Sequence, residues 1–174
     1  LIILDISSTQ NKSVLDWELI SHIAKECRMP LCYGGGVSSL NQVEKLISMG
    51  VEKVAIGYSS FAKPEIIEKA VKSVGRQSIV GVMYVRKFGF PGKYEAVVLR
   101  GKMRTQKTPI EYAKYLIELG VGEILLQNID LDGSMKGYDE KLIEKVYNNI
   151  NVPLTVLGGA GSLRDFKSLI DKFK

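Results

Sequence analysis

The chain has 174 residues, 45% hydrophobic and 25% charged, with a formal net charge of +5. That length supports one domain with a sizeable core, and the balance excludes the disordered and collagen-like classes. Two cysteines and one histidine leave no disulfide framework, no four-ligand zinc site and little room for Ser-His-Asp or Cys-His chemistry. The positive charge fits a lysine-rich surface or an anionic substrate; no nucleic-acid motif accompanies it.

The chain opens on an apolar strand, Leu1–Ile6, with no basic region before it and no small-residue cleavage site after it. No run is long enough to span a bilayer, so a cytoplasmic location and no membrane partner are expected. A helix over Trp17–Cys27 follows, carrying the lone His22 on a surface position. Next come a strand Pro30–Tyr33, the turn Gly34-Gly-Gly36 and a helix opened by the capping box Ser39-Leu-Asn-Gln42. Gly50 is placed to end that helix in left-handed geometry. Lys53–Ile56 reads as the third strand, Pro64 as the start of the helix Glu65–Val74, and Ser78–Tyr84 as the fourth strand.

About 23 residues then separate Tyr84 from Thr108. Tyr94–Leu99 alternates like a strand between Gly89, Gly92 and Gly101, and basic residues flank it, which suggests a hairpin-bearing loop. Thr108-Pro-Ile-Glu111 is a second capping box, and Gly120 marks that helix's end. Glu123–Asn128 and Pro153–Leu157 complete six strands. Apolar runs alternating with helical patterns specify βα units and a parallel sheet.

The chain also repeats itself. Pro30-Leu-Cys-Tyr-Gly-Gly-Gly-Val-Ser-Ser-Leu40 returns as Pro153-Leu-Thr-Val-Leu-Gly-Gly-Ala-Gly-Ser-Leu163, an offset of about 123 residues. That is half the roughly 250 residues of a (β/α)8 barrel. The expected fold is α/β, a (β/α)8 TIM barrel, as one domain over 1–174 that runs from the second strand to the seventh helix and lacks the first and last strands. Each copy sets a Gly-rich turn before a helix N-terminus, where backbone N–H groups favour phosphate. Gly35, Gly36, Gly158, Gly159 and Gly161 are therefore candidate phosphate contacts, with a phosphorylated small molecule as ligand. A bulky residue at Gly159 is expected to weaken anion binding with little change in fold.

The segments Leu1-Ile-Ile-Leu-Asp5, Gly34-Gly35-Gly36, Gly122-Glu-Ile-Leu-Leu126, Asn128-Ile-Asp-Leu-Asp-Gly133, Lys136-Gly-Tyr-Asp139 and Gly158-Gly-Ala-Gly161 together resemble the cyclase subunit of imidazole glycerol phosphate synthase. The resemblance covers the whole chain in order. It implies a histidine-biosynthesis lyase that uses no metal or organic cofactor. Ammonia arrives from a partner glutaminase, a class I amidotransferase, through an ammonia channel. It implies that Asp5, Asp130 and Asp132 lie on the top face near the reacting centre. Lys53 and Glu123 would belong to the charged ring where ammonia enters, and Glu52 would lie where the glutaminase docks. Asp130 and Asp132 capping the Gly133 turn, and Lys53–Glu123 as a structural ion pair, are the plain alternatives.

This sequence also departs from the family pattern. Tyr84 stands where the family's second catalytic aspartate belongs, and Gly57-Tyr58 where an Asn-Thr pair contacts phosphate. At Gly57 the backbone is still available to phosphate. Gln127 and Arg100 replace small hydroxyl residues. Two readings result: a cyclase, or a non-cyclising paralogue that binds the glutaminase and passes ammonia to another synthetase, such as one amidating a surface sugar.

Overall fold

The apolar runs and caps read from the sequence become alternating strands and helices in a computed structural model, which describes residues 1–6 and 15–173. These form two compact units, Leu1–Gly81 with Leu116–Glu123, and Val82–Tyr115 with Ile124–Lys174.

The first unit contains β1 (Ile2–Leu4), α1 (Trp17–Glu26), β2 (Cys32–Gly34), α2 (Leu40–Ser48), β3 (Lys53–Ile56), α3 (Tyr58–Ala62), α4 (Glu65–Val74) and the start of β4 (Ile79–Phe88). Its strands pair in parallel in chain order. One row of partners runs Ile3, Tyr33, Val54, Ile79 and the next Leu4, Gly34, Ala55, Val80. Successive rows face opposite sides of the sheet. Val54 and Ile79 in the first row are fully buried, as are Val43 and Leu46 of α2 and Ile67 and Ala70 of α4. Burying apolar stripes of this kind stabilises by about 25 cal/mol per Å² of apolar surface.

Both expected capping boxes are present. Gln42 Oε1 accepts from Ser39 N–H at 3.1 Å while Ser39 Oγ accepts from Gln42 N–H at 3.3 Å. Glu111 Oε2 accepts from Thr108 N–H at 2.7 Å, ahead of α5 (Pro109–Glu118). Gly50 and Gly120 take the expected positive φ, 97° and 99°.

The second unit holds the remainder of β4, then β5 (Lys93–Val98), β6 (Met103–Arg104), the start of α5, β7 (Glu123–Asn128) from Ile124 on, α6 (Glu140–Tyr147), β8 (Leu154–Leu157) and α7 (Leu163–Lys172). β7 and β8 are parallel, Ile124 opposite Leu154 through Gln127 opposite Leu157. β4 runs four residues beyond the expected Tyr84, because its far half pairs antiparallel with β5, Tyr84 opposite Val97 through Phe88 opposite Lys93. The expected loop strand is thus real, and β6 extends it to three strands. Elsewhere β1 and β8 are shorter than the apolar runs suggested and β2 is displaced to Cys32–Gly34, although flanking residues still bond across the ladder, Leu1 O accepting from Cys32 N–H at 2.8 Å and Pro153 O from Ile124 N–H at 3.0 Å.

Candidate functional site

In the first unit, the sequence places Lys53 at the start of β3 and Glu123 at the start of β7. Lys53 Nζ lies 2.5 Å from Glu123 Oε2. Lys53 pairs in register with Cys32, and Cys32 with Ile2, so all three side chains share one face. Leu1, Pro30, Leu31 and Cys32 line a hollow of about 160 Å³ beside the ion pair. Burial, with Glu123 nearby, pushes the Cys32 thiol up to about 11. Glu52, next to Lys53, is exposed.

Asp5 lies elsewhere. Its N–H continues the ladder to Gly34 O at 2.7 Å. By alternation its carboxylate falls on the face of Ile3 and Tyr33, opposite that of Cys32 and Lys53. The Tyr33 phenol, pushed up to about 12 by burial and by Asp5, hydrogen-bonds it there. That contact ties the end of β1 to β2. Gly35 is held against the same residue: a Cβ there would sit 2.2 Å from Asp5 O, at a φ of +113°. Gly36 also has a left-handed φ of 67°. Gly57 caps α3, and its carbonyl accepts from Ser60 N–H at 3.0 Å.

In the second unit, alternation along β4 points Tyr84 and Arg86 to one face. Burial raises the Tyr84 phenol above its ordinary value, with the Arg100 charge pulling it down. The phenol is therefore protonated near neutral pH and can donate a proton but not accept one. Asp130 is engaged by the hairpin: Arg86 Nε donates to Oδ1 at 3.0 Å and Lys87 N–H to Oδ2 at 2.8 Å. Asp132 Oδ2 accepts from Gln127 Nε2 at 2.9 Å.

Asp139 had no assigned role in the sequence reading, although it ties most of this corner together. It accepts from Tyr94 OH at 2.5 Å, from Asn128 Nδ2 at 3.3 Å and from Leu142 N–H at 3.2 Å, capping α6. Lys87 Nζ adds an ion pair at 3.5 Å. The cap was legible as an aspartate three residues before Leu142; its long-range partners were not.

The Gly158–Gly161 turn packs closely on its neighbours. A Cβ at Gly158 would lie 2.7 Å from Asn128 O, at Gly159 2.2 Å from Gly137 O, and at Gly161 2.4 Å from Met135 O. Gly137 N–H donates to Gly159 O at 2.8 Å. The expectation that a bulky residue at Gly159 would spare the fold is thereby corrected: no side chain fits between these two backbones. Asp165 Oδ2 accepts from Gly161 N–H at 2.9 Å and Ser162 N–H at 2.8 Å, which holds its carboxyl below the usual range.

The family of histidine biosynthesis proteins matches residues 1–174. The chain belongs to this family. Its fold class is accordingly α/β, the (β/α)8 TIM barrel, with the parallel βα units described above. A Vibrio vulnificus protein provisionally assigned as imidazole glycerol phosphate synthase subunit hisF3 is 42% identical over the whole chain and 67% of its own length. A Pseudomonas aeruginosa protein provisionally assigned as subunit hisF2 is 42% identical, over the whole chain and 68% of its own length. A Dehalococcoides mccartyi protein named imidazole glycerol phosphate synthase subunit HisF is 34% identical over 99% of this chain and 67% of that protein. Among the described residues no helix is long and apolar enough to cross a membrane, and no group of three His, Cys, Asp or Glu is arranged to hold a metal ion.

Proposed function

We propose that this chain acts as a cyclase-type subunit of imidazole glycerol phosphate synthase. It takes ammonia from a partner glutaminase and closes an imidazole on a bisphosphorylated aminoimidazole carboxamide nucleotide. Membership of the family along the whole chain carries this reading. The Lys53–Glu123 pair beside an apolar-walled hollow supports the ammonia role, because a neutral molecule crosses such a wall more cheaply than an ion. Glu52, exposed beside that pair, suits the docking surface for the glutaminase.

Phosphate is assigned to the turns at Gly35-Gly36 and Gly158–Gly161, with Gly57 contributing backbone. Asp132 and Tyr84 are the groups proposed to act on the substrate. Asp5 and Asp130 have the hydrogen-bond partners of residues that hold the site's walls in place. Reconstitution with the cognate glutaminase tests the proposal: glutamine-dependent turnover of the nucleotide supports it.

The alternative, a non-cyclising subunit that channels ammonia to another synthetase, is favoured by the departures at Tyr84 and Gly57-Tyr58 and by the provisional assignment of the more similar relatives. A buried phenol with a raised pKa cannot serve as a base near neutral pH. Glutaminase stimulation without nucleotide turnover would select it.

A further inference from the structure

The internal repeat puts Gln42 and Asp165 at equivalent positions, 123 residues apart. The turns they close have matching backbones. Gly35 and Gly36 take φ values of 113° and 67°, Gly158 and Gly159 of 98° and 109°. A backbone carbonyl fills the place of a Cβ at the first glycine of each turn, Asp5 O at Gly35 and Asn128 O at Gly158. Ser39 and Ser162 then cap α2 and α7 with nearly the same dihedrals, φ −147° and ψ 156° against φ −151° and ψ 162°.

The side chain that returns to each turn is what differs. In the first, Gln42 Oε1 accepts from Ser38 N–H at 2.7 Å, Ser39 N–H at 3.1 Å and Ser38 Oγ at 3.3 Å. In the second, Asp165 Oδ2 accepts from Gly161 N–H at 2.9 Å, Ser162 N–H at 2.8 Å and Ser162 Oγ at 3.0 Å. Ser38 and Gly161 correspond in the repeat, as do Ser39 and Ser162. The backbone donors are thus the same, so charge alone separates the turns: an amide oxygen occupies one and a carboxylate oxygen the other. Among the described residues no cation pairs with Asp165. The first turn of α2 holds no acidic residue. In the second turn the backbone N–H groups and helix dipole that favour phosphate already face an anion supplied by the chain itself.

We infer that the two phosphate turns are unequal: the Gly35-Gly36 turn anchors a phosphoryl dianion, and Asp165 is the specificity-determining residue that weakens the same group at Gly158–Gly161. The inference rests on the assignment of phosphate to both turns in the function proposed above. A phosphoryl group in the second turn meets the Asp165 charge well inside the screening length of about 8–10 Å, and its second negative charge roughly doubles the repulsion.

The test titrates inorganic phosphate into the isotopically labelled full chain at constant ionic strength and neutral pH. Amide shifts of Gly35 and Gly36 report the first turn, those of Gly159 and Ala160 the second. Wild type, Asp165→Asn and Gln42→Glu are compared. Asparagine keeps a carbonyl oxygen for the cap, and glutamate is an ordinary capping-box residue, so both variants retain their turns. In the wild type, phosphate should bind the first turn about tenfold more tightly than the second. Asp165→Asn should tighten the second turn by about that factor and leave the first unchanged, whereas Gln42→Glu should weaken the first. Equal or tighter binding at the second turn of the wild type, or an unchanged second turn in Asp165→Asn, overturns the inference and leaves the phosphate assignment standing. Saturable shifts at neither turn in any of the three proteins overturn the assignment as well.

Discussion

Lys53 Nζ is 2.5 Å from Glu123 Oε2, and the two side chains are unequally covered: 41% of Lys53 is exposed against 11% of Glu123. The lysine can turn to water, whereas the carboxylate cannot. Removing the lysine therefore takes a cation away from a covered anion.

Lys53→Met should destabilise the protein by about 1–3 kcal/mol, the usual range when a covered charged group loses a hydrogen-bonded ion-pair contact. Adding Glu123→Leu should recover part of that loss, since an apolar pair is often as stable as the ion pair it replaces. Urea unfolding of the two variants checks both statements. A Lys53→Met midpoint equal to wild type would mean the pair contributes nothing.

Gly159→Ala and Gly133→Ala separate two costs. Both positions have positive φ, 109° and 73°. A Cβ at Gly133 meets nothing within 4 Å, while one at Gly159 meets Gly137 O at 2.2 Å. Gly133→Ala should cost about 1–2 kcal/mol from backbone strain alone. Gly159→Ala should cost clearly more and shift the Gly137 amide resonance. Equal thermal midpoints would contradict the close approach.

Stability should fall at alkaline pH. Cys32 and Tyr33 have folded pKa values raised to about 11 and about 12, from ordinary values of 9.0 and 10.0. A raised folded pKa means the native state holds its proton longer. The resulting stabilisation is complete below the ordinary value and is lost as pH rises through the folded one. The loss should begin near pH 9 and continue to about pH 12. Cys32→Ala should flatten the part between about pH 9 and 11. In wild-type protein at pH 8, buried Cys32 should react with a thiol reagent far more slowly than Cys27. Comparable alkylation rates for the two cysteines would sink this assignment.

Tyr84→Asp should raise turnover of the aminoimidazole carboxamide nucleotide, on the order of 10²–10⁴-fold where proton transfer limits the rate. Glutaminase binding, measured by calorimetry, should be unchanged. Ordinary cyclase rates in the wild type would show that the phenol is sufficient.

The sequence by itself determined the alternation of strands and helices, both capping boxes, the helix-ending glycines and the family. Each is written in short-range spacing or in ordered motifs along the whole chain. Tertiary structure decided what depends on residues far apart. Asp5 and Lys53 both adjoin short apolar strands, yet a shift of one residue in strand alternation puts them on opposite faces, and only the register with Tyr33 and Cys32 reveals it. Asp130 and Asp132 are two residues apart in one motif, but one is engaged by Arg86 and Lys87 and the other by Gln127. Asp139 gathers Tyr94, Asn128 and Lys87 because the β4–β5 hairpin folds back, which no local pattern encodes. Gly159 reads like any glycine before a helix until Gly137 O occupies the place of its missing Cβ. Local conformation follows from neighbours in the chain, whereas a side chain's partner is fixed only when pairing register and loop packing bring distant segments together.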